Sequence, residues 1–376
     1  MIAGIAKLAK VKCPVAETAK EVYPAHMNGK DGSSDNVVEH RDSGGDYVLA
    51  ELVERPSLAA GSPCEGGSRG GPFVRRRRKK LPLILFLITC VSTFWAGAVG
   101  WLPIFYLDQW YTTLDAMPIR RAIVSHWQDG LIYMACVLAI LLTHEMGHFL
   151  ATLRYGIPAS LPFFIPFPIS PVGTMGAVIG MDGRQADRKE MFDIGLAGPL
   201  AGLAVALPIL LVGIHHLDLS TPGHGSFRLD LPLIVRSVLV AHPPPGYEMG
   251  AADANQIWCS HLNPYFMAGW VGLLITGLNM LPVSQLDGGH VIYALFGRRS
   301  RWVARGFMVI AIAYMIATGT WDRWVLMVLL IFLIGTGHPP TRDDTAKLGW
   351  LRVALGLASL AIPLLCFPPQ VLHIIE

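Results

Sequence analysis

The stretch Gly130-Leu131-Ile132-Tyr133-Met134-Ala135-Cys136-Val137-Leu138-Ala139-Ile140-Leu141-Leu142-Thr143-His144-Glu145-Met146-Gly147-His148-Phe149 runs apolar as far as Leu142 and then ends in H-E-x-x-H. Two histidines four apart on a helix lie on one face, one turn apart, close enough to grip one metal ion. Glu145 lies beside them and can handle a proton for a water on that ion. His, Glu and His inside a membrane-length helix are costly and call for a functional reason.

The rest of the chain is apolar enough to make that helix a membrane helix. Of 376 residues, 52% are hydrophobic and only 15% charged, with a mean hydropathy of +0.45. These values fit a multi-pass membrane protein rather than an ordinary soluble one. The net charge of +3 makes no case for a nucleic-acid partner. Six cysteines (Cys13, Cys64, Cys90, Cys136, Cys259, Cys366) are scattered without a C-x-x-C, so neither a disulfide framework nor a cysteine-type zinc site is expected.

Residues 1–74 are polar and rich in Gly and Ser, a composition that cannot bury enough surface to offset ordering entropy, and a disordered tail is expected there. The basic run Arg75-Arg76-Arg77-Arg78-Lys79-Lys80 abuts an apolar stretch. It reads as a topology determinant that holds the N-terminus in the cytoplasm, with the first transmembrane helix inside residues 75–128. Apolar spans are expected near 83–105, 129–153, 191–213, 264–282, 303–319, 324–336 and 349–367, the sixth being short. The fold class is therefore an all-α polytopic membrane protein of six to seven helices, with a metal-binding core at 129–300 and further membrane helices in 301–376. The patch 231–241 contains Arg236 and reads as a surface or re-entrant segment, with an extra pass as the alternative. Basic residues concentrate in the segments that alternate with the N-terminus, placing His144 and His148 near the inner end of their helix.

Between the second and third spans, Leu161-Pro162-Phe163-Phe164-Ile165-Pro166-Phe167-Pro168 and Gly173-Thr174-Met175-Gly176 are apolar but full of Pro and Gly, so they cannot form a helix interior. Such backbone survives at membrane depth only when protein or a wet cavity covers it. A re-entrant loop or short β-hairpin packed against the metal site is expected, with an apolar surface loop as the alternative. The third span carries Ala197-Gly198-Pro199-Leu200-Ala201-Gly202, whose small residues permit close helix packing. The loop at 214–262 holds His215, His216, His224, His242 and His261, irregularly spaced as in a solvated loop, with a second metal site as the alternative.

A zinc site needs a third protein ligand and one open position. Asp287, in Leu286-Asp287-Gly288-Gly289-His290, follows the fourth span and reaches the same side as His148. A carboxylate there is satisfied by a metal held on two histidines and is otherwise a stray charge. Asn279 either caps a helix end or holds a substrate carbonyl, and His290 is either a ligand or an interfacial residue.

Taken together, His144-Glu145-x-x-His148, the Phe163-Phe164-Ile165-Pro166 loop with Gly173-Thr174-Met175-Gly176, Ala197-Gly198-Pro199 and Asn279-x-x-Pro282-x-x-x-Leu286-Asp287-Gly288 resemble the site-2 protease family of intramembrane zinc metalloproteases over about residues 130–300. The tail from Gly337-His338-Pro339-Pro340 through Asp343-Asp344 to Arg352 is similar to the branch shared by bacteria and plastids. The resemblance implies one Zn2+ bound by His144, His148 and Asp287, with Glu145 as catalytic acid/base. It implies that Asn279 positions the substrate backbone and that the loop at Gly173, Thr174, Met175 and Gly176 offers a β edge to an unwound substrate. Some members carry a PDZ domain in an extracytoplasmic loop, for which no stretch here is long enough. The expected partners are a transmembrane protein substrate and the lipid bilayer, in a bacterial cell (inner) membrane with the active site towards the cytoplasm. A membrane metal-ion transporter is the alternative, but it would need ligands along a path and gives Glu145 no task. A membrane-anchored protease of soluble or prenylated substrates would favour a glutamate third ligand, against Asp287.

Overall fold

The computed structural model describes residues 80–247, 255–283, 285–319, 341–368 and 370–375, all within one compact unit that spans 74–376. The polar tail 1–74, the basic residues before Lys80 and the expected span at 324–336 lie outside the described residues.

Helix α1 (Lys80–Ala98) is apolar along its length, and its two threonine hydroxyls bond back into their own helix. Thr89 donates to the Leu85 carbonyl and Thr93 to that of Thr89, both at 2.8 Å, which lets polar side chains sit in an apolar helix. The expected span to residue 105 stops earlier, because Gly100 turns the chain at φ 60° and Pro103 opens a separate helix, α2 (Pro103–Thr113). Helix α3 (Met117–Arg154) has 38 residues and breaks once, at His126 (φ −122°, ψ 22°). The expected span 129–153 is the part beyond that break.

The Pro/Gly segment forms a hairpin of β1 (Phe163–Phe167) and β2 (Gly173–Val178), paired antiparallel with a register shift between Phe164 and Pro166. Pro166 has no N–H for the ladder, so the irregularity falls where the sequence requires it. The hairpin is held by α1 and α3. Ser92 donates to the Gly173 carbonyl, Tyr133 donates to Val172 O at 2.9 Å, and Phe86 meets Phe164 edge-on at 5.1 Å. A Cβ on Gly173 would come within 2.8 Å of Ser92 O and Thr93 Cα, so only glycine allows this approach.

Helix α4 (Arg188–His215) starts from a capping box. The Asp187 carboxylate accepts from the Lys189 and Glu190 amides (2.7 and 2.8 Å), and Glu190 Oε2 accepts from the Asp187 amide (2.8 Å). It packs against α3 and against α6 (Pro264–Asn279), which is capped by Asn263 and is buried along almost all of its sixteen residues. Between α4 and α6, β3 (Phe227–Asp230), α5 (Leu233–Ala241) and β4 (Gln256–Trp258) follow in order. A three-stranded sheet, β4-β3-β5, is completed by the distant β5 (Leu372–Ile374). Trp270 of α6 donates to Asp230 O at 2.8 Å and fastens this sheet to the bundle. Helix α5 has nine residues, about 14 Å, which is too short for the extra pass considered at 231–241.

Helices α7 (Asp287–Phe296) and α8 (Ser300–Thr318) are joined through a turn at Gly297, and a further helix, Trp350–Ser359, is followed by a short one, Ile362–Cys366. Among the described residues four segments are long and apolar enough to cross a membrane: Lys80–Ala98, Met117–Arg154, Arg188–His215 and Asp287–Thr318. The six to seven expected spans differ from this in two describable places. The span at 264–282 is the short, buried α6, about 24 Å long. The span at 349–367 is broken at Leu360–Ala361, just ahead of Pro363, which cannot donate into a continuous helix.

The capping box makes a direct prediction. Asp187→Ala should lower stability by about 1 kcal/mol, whereas Asp187→Ser should retain most of it. Unfolding of the two variants in the same detergent checks this, and equal loss in both would contradict a capping role.

Candidate metal centre

The second part of α3 carries His144, Glu145 and His148 into the interior, where all three are buried. Asp287 arrives from elsewhere in the chain as the first residue of α7, immediately after the turn that ends α6. That turn is closed by a glycine. A Cβ on Gly288 would lie 2.1 Å from Met280 O, so a side chain there would push α7 away from the end of α6. The sequence Leu286-Asp287-Gly288 is thus a geometric unit in which the glycine lets the aspartate reach the histidines.

The three donors form a nearly equilateral triangle. His144 Nε2 and His148 Nε2 each lie 3.2 Å from Asp287 Oδ2, and they lie 3.2 Å from one another. Ligands about 2.05 Å from a tetrahedral zinc ion would be separated by about 3.3 Å, so the triangle fits such an ion. Among the described residues this is the one group of three His, Cys, Asp or Glu that could hold a metal. The remaining ring nitrogen of His148, Nδ1, lies 2.7 Å from Ile194 O. A carbonyl only accepts, so Nδ1 carries the proton and Nε2 of a singly protonated ring presents a lone pair to the triangle. Lone pairs and a carboxylate oxygen that face one another at 3.2 Å repel, and a cation among them turns repulsion into binding.

Helix α4 makes the room. Gly195, Gly198 and Gly202 recur at intervals of three and four and line one face. A Cβ on Gly198 would fall 2.0 Å from His148 Nε2, one on Gly202 3.0 Å from His144 Nδ1, and one on Gly195 2.8 Å from His290 Cβ. On α3, Gly147 lets Ala197 O approach, a Cβ there falling 2.6 Å away. The small residues at 197–202 are expected from the sequence to serve helix packing; in the structure Gly198 and Gly202 also make room for the imidazoles. Their recurrence on one face was the signal that could have revealed it.

The other expected site residues divide. Asn279 Nδ2 lies 3.4 Å from His144 Nε2, so the amide faces the metal group and does not cap α6. His290 packs where α7 meets Gly195 of α4, outside the triangle. In the hairpin, Thr174 is buried, donates to Ile165 O at 2.9 Å and accepts from the Gly176 amide at 3.1 Å, which locks the irregular register. Gly173 lies against α1, Gly176 has φ 102° with open space around it, and Met175 is half exposed. Of the loop histidines, His216 stacks on Tyr265 and His261 Nε2 lies 3.1 Å from Thr221 O, so these two are occupied locally.

A family model described as Peptidase family M50 matches residues 132–319, half of the chain, and encloses both the H-E-x-x-H helix and Asp287. The chain belongs to peptidase family M50. This M50 chain is 32% identical over 361 residues to a probable zinc metalloprotease EGY1, chloroplastic, of Oryza sativa subsp. japonica, a match covering 87% of the chain and 58% of the relative. It is 29% identical over 343 residues to a probable zinc metalloprotease EGY1, chloroplastic, of Arabidopsis thaliana, covering 84% and 60%. It is 29% identical over 244 residues to the Arabidopsis thaliana probable zinc metalloprotease EGY2, chloroplastic, covering 64% and 42%. The chain therefore spans less than two thirds of the length of each of these relatives. All three are named as chloroplastic, and they lend no support to the bacterial cell membrane expected from the sequence.

The close approach of α4 predicts that Gly198→Ala weakens metal binding at least about tenfold, in the range seen when groups that orient a ligand are disturbed. Gly306→Ala, where a Cβ meets nothing within 4 Å, should bind as the unaltered protein does. Competition with a chromophoric chelator measures both, and equal affinities would show that the imidazole does not need the space.

Proposed function

We propose that the chain is an intramembrane zinc metalloprotease that hydrolyses a peptide bond within or next to a transmembrane segment of a membrane protein, with residues 129–300 as its catalytic core. The observation that carries this reading is the 3.2 Å triangle of His144, His148 and Asp287, drawn from two separate helices with the Glu145 carboxylate buried beside it. The zinc named in the relatives suits these donors. Bound there, zinc supplies Lewis acidity, which activates water near neutral pH and polarises a carbonyl.

The chain's own groups account for the remaining steps. Glu145 takes the proton from the attacking water and returns it to the leaving amine. The Ile194 carbonyl keeps His148 in the required tautomer, and the Asn279 amide is near enough to the donors to hold the scissile backbone. The exposed Met175 and Val178 of β2 support a hairpin edge that pairs with an unwound substrate through Gly173, Thr174, Met175 and Gly176. Unwinding is required because a transmembrane helix otherwise keeps its carbonyls bonded internally.

Water has to reach this depth. A cavity of about 390 Å³ beside the H-E-x-x-H helix is lined in part by Gly147, Ala151, Tyr155, Asp193 and Arg352, which supports a wet path at that end. Arg154, Arg188 and Arg298 stand at helix ends, and the backbone bond from Arg342 N to Ala186 O brings Arg342 to the start of α4. Their grouping supports an orientation with the metal centre towards the cytoplasm-like side of the membrane, where a protein's loops carry its excess of Lys and Arg. The transporter reading draws no support from a line of ligands, since the described donors gather at one point.

Glu145→Gln tests the reading. The variant should bind zinc with unchanged stoichiometry and lose cleavage by about 10²-fold or more, as removal of a general acid–base does. Membrane proteomes with the unaltered and the variant chain should differ by uncut single-pass stubs that accumulate in the variant. Cleavage that survives at the unaltered rate would refute the assignment of Glu145.

A further inference from the structure

Residues 341–348 return to the start of α4 and to α7. Arg342 N donates to Ala186 O (2.8 Å), Arg188 N donates to Asp343 O (3.2 Å), and Arg342 pairs with Glu190 at 3.3 Å, all at the start of α4. Tyr293 of α7 donates to Asp344 at 2.9 Å. Arg188 reaches across to the carbonyls of Ala294 and Leu295 at the end of α7 (2.5 and 3.0 Å). Leu348 completes a buried cluster with Phe192 and Leu196 of α4, Met280 of the α6–α7 turn, and Val291 and Ala294 of α7. Residues 341–348 thereby tie α4 to the helix that carries Asp287.

Four residues later Arg352 makes a two-pronged bond to Asp193, Nε to Oδ1 and Nη2 to Oδ2, both at 2.8 Å. Tyr155, at the end of α3, donates to the same carboxylate. Asp193 is the neighbour in sequence of Ile194, whose carbonyl takes the Nδ1 proton of His148. The end of α3, the first turns of α4 and the C-terminal segment therefore meet one peptide unit from the group that orients a metal ligand. We propose that Arg352, Asp193 and Tyr155 are positioning residues of the metal centre. They fix α4 against α3 so that the Ile194 carbonyl holds the His148 ring with Nε2 turned to Asp287. A guanidinium fork on a carboxylate sets rotation as well as distance, which a lysine ammonium cannot do.

This inference rests on the zinc reading above. The full chain in detergent is titrated with zinc and, separately, with cobalt, whose visible bands report the ligand geometry, and the unfolding midpoint of the metal-free protein is measured in parallel. Arg352→Gln should raise the zinc dissociation constant about 10- to 100-fold and alter the cobalt bands. Arg352→Lys, which keeps the charge but not the fork, and Tyr155→Phe should show smaller changes in the same direction. A merely structural role would lower the unfolding midpoint while leaving zinc affinity and cobalt bands as in the unaltered chain, and that result overturns the proposal. If Arg352→Gln does not fold, Arg352→Lys and Tyr155→Phe decide by the same criterion. Failure of the unaltered chain itself to bind either ion would instead refute the zinc reading and the inference with it.

Discussion

Three electron-rich atoms held 3.2 Å apart inside an apolar helix bundle form the constraint on which the other features turn. In water such a group would separate or be screened. In a low-dielectric interior it is stabilised by a cation among the donors and by a surround that prevents them from moving apart. The bundle supplies that surround from two directions. Helix α3 presents both imidazoles from one face, and the α6–α7 turn delivers the carboxylate opposite them.

Close approach is purchased with glycine. The α4 face of Gly195, Gly198 and Gly202 lets a helix backbone lie where side chains would otherwise occupy the space of His148, His144 and His290. Gly288 does the same for the turn behind Asp287. Pro199 lies within this face. It has no N–H for the Gly195 carbonyl one turn earlier, so one helical hydrogen bond is missing next to the point where Ile194 O accepts from His148. The local rules for helix formation are relaxed where the site needs room.

Around this centre the remaining elements divide the work. The hairpin is fastened to α1 and α3 by Ser92, Tyr133 and Phe86, so its position is tied to the helix that carries the histidines. The β4-β3-β5 sheet is joined to α6 through Trp270, and the C-terminal strand closes it. Residues 341–352 return to α4 and α7. Sequence-distant segments are thereby bound to the bundle at both its ends.

Local pattern determined much of this chain. H-E-x-x-H at helical spacing placed two donors on one face, the apolar runs marked the long helices, and Pro with Gly at 161–176 excluded a helix and left room for a hairpin. Each follows from forces that act within a few residues. The sequence left undecided whether Asn279 capped a helix or faced the site, and whether His290 was a ligand. It gave no sign that β5 would pair with β3 or that Arg352 would reach Asp193. It marked 264–282 as one apolar run, and only the packed structure shows that sixteen residues of it form a helix buried along most of its length. Those outcomes depend on which segments meet in space, and contact between residues 159 positions apart, as for Asp193 and Arg352, is fixed only when the helices pack.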